Sequence, residues 1–182
     1  MKNLEEIYNE KCLTYSDISE HLPTLKKYTE ECEHVTEMGV RYVISTYAFM
    51  MGKPKKLISI DILPVENFGI NREDLKKLAL ENGVEFNFIV GDTTKIEIEE
   101  TDLLFIDTWH VYHQLIKELT LHGNKSRKYI ILHDTTTFGE YGECNEGEGL
   151  WKAVEEFLNL NSNWILEKKY TNNNGLTILK KI

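Results

Sequence analysis

From His34 onward the chain alternates short apolar runs with longer amphipathic ones. His34–Met38, Lys56–Ile62, Glu85–Val90, Asp102–Ile106 and Tyr129–Leu132 have the length and the aliphatic and aromatic content of strands. Between them, Tyr42–Met51, Arg72–Glu81 and Val111–His122 carry apolar residues at helical spacing, while the stretch around Thr93–Glu100 is short and irregular. Strands that alternate with helices imply right-handed crossovers and a parallel sheet with helices on both faces. The rhythm then breaks. A helix expected over Gly149–Leu160 is followed by β-like runs at Trp164–Tyr170 and Leu176–Lys180. Thr171–Gly175 between them ends in Asn-Gly, whose residues both accept positive φ, and so predicts an antiparallel hairpin.

The segment before the first strand, Met1–Cys32, reads as a helical cap. Ser16 is the expected N-cap before Asp17, Ile18, Ser19 and Glu20, although Ser19 stands where a capping box needs Glu or Gln. Leu22, Leu25 and Tyr28 recur at helical spacing, with Pro23 tolerable only in an early turn. At 182 residues, with no repeat or low-complexity linker, the chain is expected to be a single domain over 1–182 that includes the cap at 1–33.

Composition narrows the function classes. A net charge of −9 gives no electrostatic footprint for a nucleic-acid backbone. No apolar run approaches the roughly 20 residues that span a bilayer, and the start has no apolar signal core, so a cytoplasmic protein is expected. Cys12, Cys32 and Cys144 are widely spaced, with no CxxC and no zinc-finger partner, which fits idle thiols in a reducing compartment. Self-association into a homo-oligomer is left open.

In a doubly wound sheet, ligands lie beyond the carboxyl ends of the strands, so the polar residues there matter most. After the first strand comes Glu37-Met38-Gly39-Val40-Arg41, then Ser45-Thr46. This resembles the first motif of class I S-adenosylmethionine-dependent methyltransferases, E-x-G-x-G-x-G-x-S-T in one branch. Glu37, Gly39, Ser45 and Thr46 hold the matching places, and Arg41 and Val43 replace the second and third glycines. Gly39 would let the backbone approach a ligand closely, and Arg41 can grip the carboxylate of a methionine moiety. Asp61, ending the second strand, is placed to accept both ribose hydroxyls. Asp92, with Thr93, follows the third strand where the family often has a polar residue near the adenine amine.

The most specific resemblance is at strands four and five. Ile106-Asp107-Thr108-Trp109-His110-Val111-Tyr112 and His133-Asp134 resemble the branch that includes cephalosporin hydroxylase-like proteins and macrolide or aminocoumarin sugar O-methyltransferases. It covers nearly the whole chain from His34. The resemblance implies a Rossmann-like, doubly wound α/β fold with a mostly parallel seven-stranded sheet closed by the C-terminal hairpin. It also implies S-adenosylmethionine as cofactor and O-methylation of a sugar, a glycan end or another polyhydroxylated small molecule. Several members hold a divalent metal on acids after strands four and five, which implicates Asp107 and Asp134, with His133 in the place of a second acid. Mg²⁺ prefers oxygen ligands, so His133 either shifts the preference toward Mn²⁺ or another transition metal or removes the metal altogether. His110 or His133 is the expected base or substrate contact, and Asp107, His110 and His133 are the expected catalytic group.

Two further segments stand near such a site. Thr135–Gly149, rich in Gly and Glu, reads either as a mobile lid or as a disordered excursion. His21 in the cap can reach the site, whereas His113 and His122 read as structural. Two other functions share these residues: a nucleoside-binding module without turnover, and a metal-dependent hydrolase or hydroxylase built on Asp107, His133 and Asp134.

Overall fold

A computed structural model describes residues 2–182; Met1, the first residue of the expected helical cap, lies outside them. Seven strands form one sheet: β1 His34–Met38, β2 Lys56–Asp61, β3 Glu85–Val90, β4 Thr101–Ile106, β5 Ser126–His133, β6 Trp164–Tyr170 and β7 Leu176–Lys181. Their order across the sheet is β3-β2-β1-β4-β5-β7-β6. The first five run parallel, and β7 inserts antiparallel between β5 and β6. The Rossmann-like expectation and the closing hairpin both hold. Asn173, Asn174 and Gly175 all take positive φ in the hairpin turn, as an Asn-Gly turn requires.

Alternating residues of each central strand feed two apolar clusters. Val35, Leu103, Phe105, Tyr129 and Ile131 face one side, where α1 (Leu4–Leu13), α2 (Leu22–Thr29), α3 (Ile44–Gly52) and α4 (Arg72–Glu81) pack. Met38, Leu104, Ile106, Ile130 and Leu132 face the other, under α5 (Tyr112–His122) and α6 (Leu150–Leu160). Strands buried on both faces read as near-continuous apolar runs, which is why β4 and β5 were visible in the sequence. The helix side changes between β1 and β4, so the strand order reverses there and a crevice opens beyond their carboxyl ends.

The amino-terminal cap differs from expectation. α1 starts at Asn3, whose side chain accepts the Glu6 N–H at 2.9 Å while the Glu6 carboxylate accepts the Asn3 N–H at 2.9 Å. Ser16 caps no α-helix; its hydroxyl accepts only the Ile18 N–H at 3.4 Å within an irregular link. A single 3₁₀ turn, Ser19–His21, then runs straight into α2. Pro23 decides this start, because it lacks an N–H and its fixed φ suits the first helical turn. Thr135–Gly149 is ordered and held by backbone pairing, so it is not a disordered excursion. Tyr141 bridges Glu148, Gly149 N–H donates to Glu140, and Glu143 N–H donates to the His110 carbonyl at 2.9 Å. No helix among the described residues is long and apolar enough to cross a membrane.

Candidate functional site

A cavity of about 410 Å³ opens beyond the carboxyl ends of β1, β2, β3 and β4. This lies within the roughly 300–1,000 Å³ of small-molecule sites. Its floor is the β1–α3 link. Gly39 sits at φ +83°, and a Cβ there would lie 1.9 Å from the Asp107 carbonyl oxygen. Sequence reasoning gave Gly39 a close approach to ligand; Gly39 lines the cavity and also lies tightly against the chain leaving β4. Gly39 therefore sets the distance between the first and fourth strand ends. Beyond it Arg41 and Val43, in the places of two glycines, take positive φ themselves, at 43° and 55°.

Asp61 holds this link in place. One carboxylate oxygen accepts the N–H groups of Val40 at 2.8 Å and Arg41 at 3.0 Å, and the other accepts Leu63 N–H at 2.9 Å. The side chain is buried against the backbone yet borders the cavity. Glu37, fully buried on β1, accepts the hydroxyls of Ser45 at 2.5 Å, Thr46 at 2.8 Å and Ser59 at 2.5 Å. Ser45 and Thr46 thus turn their hydroxyls to Glu37 and not to the cavity, although Ser45 also borders it. Burial pushes the Glu37 carboxyl up to about 7, against the pull of those three donors. The network clamps α3 to β1 and β2.

At the other end of the cavity, two acids and two imidazoles converge. Asp107 leaves β4, His110 lies in the following loop, and His133 and Asp134 end β5. His110 Nε2 is 2.8 Å from Asp134 Oδ2 and 3.3 Å from Asp107 Oδ1, and its Nδ1 is 3.0 Å from Glu143 Oε2. Its ring stacks on Phe138 with centroids 4.8 Å apart. His133 Nδ1 is 3.3 Å from Asp107 Oδ1 and 3.5 Å from Asp134 Oδ2, and its Nε2 is 3.2 Å from the Asn173 carbonyl. Burial alone would raise the Asp107 carboxyl, but His133 and His110 outweigh it and hold it well below the carboxylate range. Asp134 is lowered in the same way. Burial would lower His110; hydrogen bonds to Asp107 and Asp134 instead push it up to about 10, and His133 is also raised. Asp134 sits at φ 60°, and its Oδ1 is buried without a partner.

The remaining expected residues lie along the cavity rim. Arg41 lines it, but its guanidinium donates to Asp17 of the cap at 2.7 Å. Asp92 borders the cavity while accepting the Thr94 N–H at 2.9 Å and pairing with Lys95 at 2.8 Å. Its neighbour Thr93 donates its hydroxyl to Glu118 at 2.5 Å. His21 touches the site only indirectly, edge-on to His133 with centroids 5.8 Å apart, and its Nε2 faces the Asn172 carbonyl. His122 faces the Thr93 carbonyl at 2.8 Å, and the exposed His113 packs edge-on against Trp109.

No family model and no curated protein sequence matches the chain. Solved structures do. An O-methyltransferase from Bacillus cereus, solved with S-adenosylhomocysteine, is 15% identical with a TM-score of 0.65, covering 98% of this chain and 90% of its own. The O-methyltransferase TomG from Streptomyces achromogenes, solved with S-adenosylmethionine, is 15% identical at a TM-score of 0.64, covering 97% and 89%. A methyltransferase from Podospora anserina, bound to S-adenosylhomocysteine, is 14% identical at 0.62, covering 98% and 87%. The chain has the Rossmann-like fold of these methyltransferases.

On this methyltransferase fold, several side chains escaped sequence reasoning. Glu143 was one acid among many in a glycine-rich loop, and only the folded loop brings it to His110. Glu118 lies on α5 amid apolar residues. It is buried and accepts Thr93, Thr108 at 2.8 Å and Gln114 at 2.8 Å, so it joins the β3 and β4 ends under the cavity. A charged residue on the buried face of an amphipathic helix was the signal available for it. Asp17 and Ile18 of the cap also border the cavity.

Proposed function

We propose that the protein is an S-adenosylmethionine-dependent O-methyltransferase acting on a hydroxyl of a small polyhydroxylated molecule such as a sugar, with a divalent metal beside the acceptor. The observation that carries this reading is one continuous cavity with two unlike ends. The Gly39–Asp61 end presents a tight turn and a buried carboxylate, and the Asp107–His110 end presents a charged cluster. The expected residues Glu37, Gly39, Arg41, Ser45, Thr46, Asp61, Asp92 and Thr93 all border the first end or brace it.

In this reading Asp61 accepts the ribose hydroxyls while keeping the β1–α3 link in place, and Arg41 leaves Asp17 for the carboxylate of the methionine moiety. The reaction is an in-line displacement: the acceptor oxygen bonds the methyl carbon, the carbon–sulfur bond breaks with its electron pair going to sulfur, and the hydroxyl proton passes to the Asp107 carboxylate and on to solvent. Asp107 is held ionised and faces the cavity, so it accepts the acceptor's hydrogen bond and aims an oxygen lone pair at the methyl group. Without a metal, His110 stays protonated up to about 10, positions Asp107 and Asp134 and balances their charge; a bound cation would displace the Nε2 proton and take its lone pair. His133 positions the same two acids from the buried side. The donor set also fits a metal. Asp107, His110 and Asp134 offer atoms within 4.8 Å of one another, and the partnerless Asp134 Oδ1 leaves a buried acceptor unsatisfied. A bound cation would lower the pKa of an acceptor hydroxyl.

Calorimetric titration with S-adenosylhomocysteine tests the reading. Micromolar binding, weakened at least tenfold in Asp61→Asn, is expected, followed by transfer of labelled methyl from S-adenosylmethionine to a panel of sugars and polyols. A folded protein that binds neither S-adenosylmethionine nor S-adenosylhomocysteine, with or without metal, overturns it.

A further inference from the structure

We infer that Glu118, buried beneath the cavity, turns the amide of Gln114 so that its oxygen faces the ligand, and that this oxygen selects a purine with a 6-amino group over one with a 6-oxo group. The inference rests on the cofactor reading proposed above and names the side chain that reads the base.

The place of the base follows from the place of the ribose. With the ribose hydroxyls on Asp61, at the end of β2, the base reaches toward the end of β3 and the start of α5. Asp92, Thr93, Thr108 and Gln114 line the cavity there.

Counting the donors on that wall gives its chemistry. Glu118 is wholly buried on α5 and takes three of them. The Thr93 hydroxyl at 2.5 Å and Gln114 Nε2 at 2.8 Å donate to Oε1, and the Thr108 hydroxyl at 2.8 Å donates to Oε2. Burial pushes this carboxyl up, and the three donors pull against it. A carboxylate buried without such donors would be costly, so they are committed to it.

That commitment fixes the amide. A Gln side chain has two flips, and a carboxylate oxygen accepts from the nitrogen but repels the oxygen. With Nε2 on Glu118 and also 3.4 Å from Thr93 Oγ1, both N–H groups of Gln114 point away from the ligand. The amide oxygen is the polar atom left over, on a residue that borders the cavity.

The neighbours have no donor to add. Asp92, which the resemblance places near the adenine amine, already accepts the Thr94 N–H at 2.9 Å and hydroxyl at 2.7 Å and pairs with Lys95 at 2.8 Å. Thr93 and Thr108 have given their hydroxyl protons to Glu118. The side chains of this wall thus offer lone pairs. A 6-amino group brings two N–H donors to them, whereas a 6-oxo group sets oxygen against oxygen. A site built to receive a donor rejects the analogue that lacks it, because its own polar groups are then left unpaired.

The test is calorimetry with S-adenosylhomocysteine and its deaminated counterpart, S-inosylhomocysteine. The wild-type protein should prefer the amino ligand by at least about tenfold. The two ligands also differ in the proton on N1, so the variants decide which protein group is responsible. Gln114→Met keeps the length of the side chain and removes both amide atoms; it should cut the preference by at least about threefold, through weaker binding of the amino ligand. Glu118→Gln releases the amide to turn over, and should cut it by at least about threefold through tighter binding of the oxo ligand. A bracing role alone would weaken both ligands alike and leave the ratio unmoved. Gln114 is only half-buried, so Gln114→Met decides even where Glu118→Gln does not fold. A smaller wild-type preference, or a smaller cut in Gln114→Met or in folded Glu118→Gln, would overturn the inference. Tight binding of both ligands sinks this inference alone; binding of neither sinks the methyltransferase reading and this inference with it.

Discussion

Glu37 makes the stability of the protein depend on pH in a direction opposite to that of most carboxylates. Its folded-state carboxyl is pushed from 4.5 up to about 7 by complete burial. A group raised in this way contributes stability that is fully present below pH 4.5 and is lost as pH rises through about 7. The shift corresponds to about 3 kcal/mol between those limits, at 1.36 kcal/mol per pKa unit. Glu37→Gln removes the ionisation and keeps the shape. Its amide retains one acceptor, and hydroxyls of Ser45, Thr46 and Ser59 can rotate to accept from its nitrogen. Urea denaturation of both proteins, in chelator, at half-unit steps from pH 4.5 to 8 is the assay. Every other titrating group is common to both, so the difference in unfolding free energy isolates position 37. It should move in favour of the glutamine variant by about 3 kcal/mol on going from pH 4.5 to 8. A difference flat within about 0.5 kcal/mol, or one that moves the other way, would refute the claim that this carboxyl is buried at a cost.

Two other perturbations are equally direct. Gly39→Ala should lose roughly 1–3 kcal/mol from the positive φ alone, and more from the clash with the Asp107 carbonyl; thermal melting should fall and S-adenosylhomocysteine affinity with it, and a variant with unchanged melting would contradict the close approach. Arg41→Ala should weaken S-adenosylhomocysteine about 10–100-fold while leaving adenosine unaffected, because only the former carries the carboxylate. Asp17→Asn, which frees Arg41 from its 2.7 Å partner, should not weaken it; calorimetry with both ligands decides.

The pattern of the sheet was legible because its central strands are buried on both faces, its edge strands alternate or keep β-type residues, and its helices are buried on one side. β1, β3, β6 and α4 fall at the boundaries that hydrophobic pattern predicts, and the others within a few residues. The hairpin was legible because its turn chemistry is local. The cap was not: Ser16 offers as good a side-chain oxygen as Asn3, and the start of α2 is set by Pro23 in its first turn together with the burial of Leu22 and Leu25. At the site, Asp61, Asp107 and Asp134 were found because strand ends are fixed points in this topology. Their partners were not, since the occupation of Asp61 by the Val40 and Arg41 N–H groups and the return of Glu143 to His110 depend on loop paths that no periodicity encodes. Gly39 was found from its turn, while its tight packing against the Asp107 carbonyl was not legible. A glycine at a turn announces closeness without saying to what.

The insertion of β7 between β5 and β6 has a consequence for the timing of biosynthesis. The carbonyl that orients His133 belongs to Asn173, in the turn between the last two strands, and the same turn holds the cap through Asn173 Nδ2 to the Ser16 carbonyl and Asn172 Nδ2 to Glu20. β5 borders the sheet until residues 176–181 arrive. A nascent chain that has already folded its first five strands therefore exposes an unpaired edge beside a half-built charged cluster, and it acquires the complete pocket in one late event. Chains truncated before residue 172 should be inert and sticky, and the complete pocket should form only once residues 172–181 are present and free to pair with β5.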